Sequence, residues 1–453
     1  MQQYRFQDIA LHATAYDSVP TRDRMRLHCR IAEALHTDQA QADATAPEQI
    51  ARHHQFADDP VQSQRWLGRA AWQAITREDT PRAIHHLRNA LAERRAAGEP
   101  RAGNGALLHL LGVQLAVAEG NGSLAVRNVQ QRARRLARVP PSRLPGDDMR
   151  TLWLAQSYLL VKGDIRRARR IGRRLLDNLK DGSQPAGDVL GSGILVHRMH
   201  ALSLMLSGQL QDALKHYDIA LTHYRAAHHG ILRFAWGSDQ AALAHAHCAW
   251  THALSGDASR VSPSIRRARQ ACERFDHAHT TAHAMSVSAL AALMTGAHDE
   301  AFFAAHEARA IALENGFPYW TAWNDVMLAA IDAQNSPRTA YATLELAHQR
   351  YRATGAAQLS PLVHALQSEA AVRANCPAQG LAQADAGLAL VAVNGGVVYR
   401  PELLHRRARA LFALNREADG DKALAEGYSA ANRTGANLFK FSLEATRRAR
   451  GKG

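Results

Sequence analysis

Residues 296–355 read GAHDEAFFAAHEARAIALENGFPYWTAWNDVMLAAIDAQNSPRTAYATLELAHQRYRATG. Two sets in this stretch, Ala301/Ala305/Ala308 and Ala340/Leu344/Ala347, share one spacing: a small residue, a second residue four positions on, and a small one three later. Offsets of four and three place all three side chains on one helical face. Small residues there let a neighbouring helix approach closely. Working outward, Ala213/Tyr217/Ala220, Val261/Ile265/Ala268 and Gly380/Ala384/Gly387 keep the phase, as does the weaker Gly420/Leu424/Gly427. Earlier copies are less regular: Ala83/Leu87/Ala90, Val126/Gln130/Ala133 and Ala168/Gly172/Leu175. A period of roughly 40 residues signals a helical solenoid, whose units bury their apolar faces only by stacking.

Two interleaved sets of turn signals divide the chain into helix pairs. One falls at Lys162-Gly163-Asp164, Ser207-Gly208-Gln209, Ser255-Gly256-Asp257, Thr295-Gly296-Ala297, Asn335-Ser336-Pro337 and Asn375-Cys376-Pro377, within pairs. The other falls at Asn315-Gly316, Thr354-Gly355, Asn394-Gly395-Gly396 and Thr434-Gly435, between pairs. Glycine past the last helical turn supplies the left-handed cap, and proline just beyond cannot continue the helix. Each helix then runs about 14–17 residues, or roughly 21–26 Å. The small-large-small spacing after a turn within a pair resembles the second helix of a tetratricopeptide repeat, although the period exceeds the consensus of about 34 residues. The expected fold is all-α, a right-handed superhelical solenoid of tetratricopeptide-like pairs, about nine of them between Pro47 and the C-terminus.

Composition agrees. The hydrophobic fraction is 46% with only 6% aromatic residues, so alanine carries much of the core and favours helix. No series of alternating β-branched runs with Asn-Gly or Asp-Gly turns is present. No stretch reaches the roughly 18 apolar residues of a membrane span. The opening Met1-Gln-Gln-Tyr-Arg-Phe-Gln-Asp lacks the pattern of a signal peptide, so a cytoplasmic location is expected. Cys29, Cys248, Cys272 and Cys376 are far apart and suggest neither a disulfide framework nor a zinc site. The net charge of +14 attracts nucleic acid, anionic lipid or acidic proteins.

Residues 1–46 read as a helical lead-in, with a helix from Arg22 to Leu35 and a polar break from Thr37 to Ala46. Residues 47–450 read as the repeat array. Val139 to Asp147 and the glycine-rich Asp181 to Gly193 interrupt it as loops.

Three passages carry a family resemblance. The first joins Tyr4-Arg5-Phe6, Ala15-Tyr16-Asp17-Ser18-Val19, Arg26-Leu27-His28 and Ile31-Ala32-Glu33-Ala34-Leu35 to Ala46-Pro47-Glu48-Gln49-Ile50-Ala51-Arg52-His53-His54. It resembles the junction after the ATPase core of bacterial signalling ATPases of the STAND type, including those fused to class III adenylate or guanylate cyclases. The second runs from Glu314 to Trp323, and the third takes in Tyr399 to Arg406 and Ala430 to Ala436. Both resemble the C-terminal tetratricopeptide arm of the same proteins. The phosphate-loop pattern G-x-x-x-x-G-K-[ST] and a cyclase domain are both missing. The resemblance therefore implies the regulatory arm, which senses an inducer or partner, with the ATPase outside this chain.

The aromatic group Tyr319, Trp320 and Trp323 either packs between repeats, the plainer role, or anchors a ligand in a groove. Arginines are densest at Arg132, Arg134, Arg135 and Arg138, and again at Arg166, Arg167, Arg169, Arg170, Arg173 and Arg174. In the second run Ile165, Ala168, Ile171, Gly172 and Leu175 would face inward. Arg166, Arg167, Arg170, Arg173 and Arg174 are then a solvated surface or an electrostatic dock for an acidic partner or a phosphate backbone. His279 and His283 share a face, as do His245, Cys248 and His252, but neither set has the companions of a metal site. No G-x-S-x-G elbow or acidic pair marks an active centre. No metal, cofactor or catalytic residue is expected.

These readings predict a non-enzymatic interaction module, a sensor or regulatory arm in bacterial signalling or transcription control, with a protein or peptide partner. The alternative is a transcription-linked regulator that binds nucleic acid through its arginine-rich surface.

Overall fold

The computed structural model describes residues 9–37, 45–96, 105–120, 126–129, 131, 146–180, 189–333 and 337–450 of the chain. Arg132, Arg134, Arg135 and Arg138, most of the break after Thr37, the proline-rich stretch through Pro145 and the turn at Asn335-Ser336 lie outside them. Among the described residues all regular structure is helical.

Two compact units divide near Gln114. The first, Met1–Gln114, contains α1 (Ile9–Ser18), α2 (Thr21–Thr37), α3 (Pro47–Phe56), α4 (Pro60–Thr76) and α5 (Thr80–Ala96). The boundary falls within α6 (Gly105–Glu119). Pro47 opens α3 at its first turn as expected, and Asp59 caps α4 by accepting from the Gln62 N–H at 3.1 Å. Ile50, Ala51, Trp66, Leu67 and Ala90 form its core, joined by Leu35 and Leu107. The α3–α4 and α4–α5 turns contain no glycine: Asp58 and Glu78 each adopt φ of 58°.

The second unit, Leu115–Gly453, is a tetratricopeptide-like solenoid. Its pairs are α7 (Gly146–Val161) with α8 (Ile165–Lys180), and α9 (Val189–Leu206) with α10 (Leu210–His223). Short α11 (Ala226–His229) and α12 (Leu232–Trp236) intervene before α13 (Gln240–Ser255) with α14 (Val261–Glu273). The regular part continues as α15 (Ala278–Met294) with α16 (His298–Glu314), α17 (Pro318–Asp332) with α18 (Pro337–Ala353), and α19 (Ser360–Arg373) with α20 (Pro377–Asn394). It closes with α21 (Arg400–Ala413), α22 (Glu417–Thr434) and a last helix α23 (Asn437–Arg450). The insertion of α11 and α12 lengthens one unit, and Trp236 from it packs edge-on against Trp153 of α7 at 4.7 Å. The loop expected from Asp181 to Gly193 is corrected at its far end, where helix begins at Val189.

The small-residue rows lie at the buried faces of the second helices. Ala301, Ala305 and Ala308 are fully buried, and so are Ala83, Leu87 and Ala90. First helices such as α13, α15 and α17 bury residues around most of their circumference, the pattern of an element with neighbours on every side. They form the inner layer, and the second helices expose their outer faces.

Gly387 of α20 shows how tight the contact is. A Cβ there would stand 2.4 Å from Leu403 Cδ2 and 3.1 Å from His364 Cβ. Gly387→Ala is expected to lower stability by about 1–3 kcal/mol through overpacking, despite alanine's better helix propensity of roughly 1 kcal/mol. Chemical denaturation reads this, and an unchanged or raised midpoint would contradict the close fit.

Hydrogen bonds repeat with the units. Gln240 accepts from Arg198, Trp320 donates to His279 and Asn324 donates to Ser286, at separations of 42, 41 and 38 residues. The unit also closes on itself. The N–H groups of Ala357 and Gln358 donate to Val161 O at 2.8 and 3.0 Å, and Arg166 donates to Ala392 O at 2.9 Å. Asn437 donates to Ser255 O at 3.1 Å. Turns within early pairs thus rest on turns between later pairs. Gly163 and Gly395, with φ of 81° and 80°, stand at this seam, where a Cβ would meet Asn394 and Arg166 respectively. The left-handed backbone and the close approach both favour glycine there.

Candidate functional site: a charged cavity on the inner helices

First helices late in the array surround a cavity of about 270 Å³. Leu290, Leu293 and Met294 of α15, Leu362 and Leu366 of α19, and Phe439 of α23 give it apolar walls. Glu369 and Arg373 of α19 and Glu402 and Arg406 of α21 bring charge to the same space. Positions four apart on α21 put Glu402 and Arg406 on one face, and Arg406 Nε donates to Glu402 Oε1 at 2.6 Å. Arg406 also reaches Glu369 at 2.8 Å, and Arg409 reaches the other Glu369 oxygen at 3.3 Å. Two arginines and two carboxylates therefore form one continuous network across two repeats.

Glu402 is 6% exposed. Burial alone would raise its pKa, but Arg406 and His405 beside it outweigh burial and hold it down to about 2. Burial likewise works against the charge on Arg406, and Glu402 and Glu369 more than restore it, so its pKa is raised. Both groups stay ionised in a largely apolar setting. An apolar segment entering this cavity meets hydrocarbon walls and fixed acceptors and donors at one side, the composition of a selective binding pocket.

Further along the inner layer the polar groups are buried and histidine-rich. Trp320 Nε1 donates to His279 Nε2 at 3.2 Å, and His279 Nδ1 donates to Gly237 O. Arg198, 3% exposed, donates to Gln240 Oε1 at 2.6 Å and has no carboxylate within ion-pair distance among the described residues. Burial lowers its pKa to about 10, which leaves it cationic. Burial first, and the Arg198 charge among the further causes, holds His247 and His283 neutral. Asp239 caps α13 by accepting from the N–H groups of Ala241 and Ala242 and also accepts a hydrogen bond from the Tyr224 hydroxyl.

Tyr319, Trp320 and Trp323 are 9%, 8% and 1% exposed. Tyr319 and Trp323 lie against Tyr351 at ring separations of 5.7 and 5.6 Å. The aromatic group fills the space between repeats and leaves little ring surface for a ligand. The arginines of α8 divide. Ile165, Ala168, Ile171 and Leu175 face inward as the spacing predicts. Arg166 is engaged at the seam, Arg167 pairs with Asp164 at 3.2 Å and Arg170 is exposed. Arg174 is half-buried with an unpartnered Nε, and burial lowers its pKa. Arg173 lines a second cavity beside α9. Among the described residues no group of three or more His, Cys, Asp and Glu is placed to hold a metal ion. No described helix is long and apolar enough to cross a membrane.

Glu402 and Arg406 fall in the Tyr399–Arg406 passage that carries the resemblance, but neither they nor Glu369 stand out in the sequence as site residues. Their one local signal is the Glu402/Arg406 spacing, common to any solvated helix face.

No protein-family model and no curated protein matches the chain. Solved structures do. A Rap protein complexed with competence and sporulation factor superimposes with a TM-score of 0.56 at 11% identity, over 82% of this chain and 98% of that one. The Cut9–Hcn1 hetero-tetramer of APC/C gives 0.40 at 11% identity, over 96% and 99%. Yeast Tom70 gives 0.34 at 11%, over 98% and 91%. At these identities the likeness shows the fold alone. The chain is an all-α, tetratricopeptide-like helical-repeat protein.

Proposed function

We propose that this chain is a non-enzymatic protein-interaction module whose inner layer receives a peptide or protein segment. The observation that carries the reading is the cavity in which apolar residues of α15, α19 and α23 meet the Glu369–Arg406–Glu402 network. Buried charge costs desolvation energy that packing alone does not require, and a polar contact offered to an incoming segment gives it a use. The Rap structure, which holds a bound factor, supports the same reading. The resemblance to the arm of STAND ATPases supports, within this reading, a cytoplasmic sensor or regulatory arm in bacterial signalling or transcription control. A bound segment would favour one of two arrangements of the solenoid or of an attached module.

Leu366→Trp fills the cavity from a wall position. Partners retained by the wild-type chain on a column of immobilised protein are expected to be lost on this variant, with the helical circular-dichroism spectrum unchanged. Equal retention on both would reject the inner cavity as the binding site.

The second reading, nucleic-acid binding, draws on the outward arginines Arg167 and Arg170. A salt titration separates the two, because affinity for nucleic acid falls steeply between low and physiological salt. No binding at low salt would remove that reading.

A further inference from the structure

The arginine-rich helix α8 shares a cavity of about 410 Å³ with histidines from two other helices. Arg173 and Asp177 come from α8, His197 and His200 from α9, and His216 from α10. His197 Nδ1 and His216 Nδ1 lie 2.8 Å apart, so one carries the proton that the other accepts. The His216 ring stands 5.0 Å from the rings of both His197 and His200.

His200 is 6% exposed, and its Nδ1 is buried without a hydrogen-bond partner. Gln156 of α7, fully buried, likewise leaves both amide atoms unpartnered. Both groups reach the α8 backbone because Gly172 has no side chain: a Cβ there would stand 2.5 Å from Gln156 Nε2 and 2.8 Å from His200 Nδ1. Unsatisfied buried groups of this kind call for an explanation.

Burial, then His216, Arg169, Arg173 and His197, bring the His200 pKa down to about 4, so its ring is neutral and offers an N–H. The lining itself carries one guanidinium, Arg173, and one carboxylate, Asp177. The charges of Arg169 and Arg173 both act on His200, and that field favours an anion.

We infer that this cavity binds a phosphate monoester, held by the Arg173 guanidinium and the imidazoles of His197, His200 and His216. Its two negative charges and three acceptor oxygens suit a guanidinium and several ring N–H donors together. The volume exceeds that of a bare anion, so the phosphoryl group arrives on a small molecule or on a phosphorylated side chain. The inference does not depend on what the inner cavity binds.

Calorimetry on the full chain tests it with inorganic phosphate, a phosphoserine peptide and the same peptide unphosphorylated, at fixed ionic strength. Phosphate or the phosphopeptide is expected to bind, and Arg173→Gln and His216→Gln each to weaken it about tenfold, the loss of one charge-assisted hydrogen bond. Melting temperatures of the variants without ligand check that they fold. Lys215→Gln, on the exposed face of α10 where the side chain pairs with Asp212, should keep wild-type affinity. Arg82→Gln, on an exposed helix face of the first unit, should keep it too. Tighter binding of the phosphopeptide than of phosphate assigns the site to a phosphorylated side chain, and equal binding assigns it to a free phosphate or small ester. Absence of binding by either, or an equal weakening by Lys215→Gln or Arg82→Gln, overturns the proposal. Stabilisation by Zn2+ in place of phosphate, or binding only of an oligonucleotide, overturns it as well.

Discussion

Lowering the pH from 7.5 to 4.5 is expected to unfold the 115–453 unit. His200, His245, His279 and His348 have pKa values brought down to about 4, and His247 and His277 to about 3, chiefly by burial. In the unfolded chain each returns to about 6.5. The unfolded state therefore binds more protons in this window, and stability is full above pH 6.5 and lost as the pH falls below it. Each histidine contributes a slope of about 1.4 kcal/mol per pH unit. Six together give about 8, comparable to the whole stability of a typical domain, about 5–15 kcal/mol. Asp239 opposes the trend, since burial raises its pKa, but it is one group against six. Glu402 responds only later, as the pH falls through 4.5 toward 2. Circular dichroism at 222 nm against pH measures the midpoint, expected between 6 and 4.5. A midpoint below 4 would show that these imidazoles are not held neutral in the fold.

Glu402→Ala is expected to destabilise the second unit by about 3–5 kcal/mol, because it removes one partner of a buried ion pair and leaves the other charged. Arg406 keeps Glu369, at 2.8 Å, so the loss falls on the inner end of the network. Glu402→Gln retains shape and one acceptor and should cost about 1–3 kcal/mol. Replacing Glu402 and Arg406 together by methionine is expected to recover much of the loss, since a hydrophobic pair of similar volume needs no desolvation. The midpoint of urea denaturation ranks the variants. A loss under 1 kcal/mol for Glu402→Ala would mean that water reaches the pair and screens it.

The regular half of the fold was legible because its signals are local. Gly256, Gly296, Gly316, Gly395 and Gly435 all take the left-handed turn that the spacing assigned to them, and Gly380, Ala384 and Gly387 are buried where it placed them. The first unit was harder to read because Asp58 and Glu78 make the same turn with side chains attached. The insertion from Ala226 to Trp236 left only a lengthened gap between Gly208 and Gly256. Neither cavity was legible, for a different reason. Glu369 and Arg406, or His197 and His216, meet only after separate helices have packed, and the sequence drew attention instead to groups on one helix such as His279 and His283. The spacing of Tyr319, Trp320 and Trp323 fits packing and ligand anchoring equally, and their burial favours packing.

The seam of meshed turns in the second unit has a consequence for how such a protein can change. Its contacts join residues 182 and 226 positions apart, about five repeat lengths. An open stack can gain or lose a unit and leave the others as they were. In a meshed one, deleting a single unit between Gly163 and Asn394 would set each turn against the turn of a different unit, and partners such as Arg166 and Ala392 O would be exchanged for others. The number of repeats here is therefore fixed by fit, as the number of teeth is fixed on a wheel that must engage another. Its variation is confined to side chains.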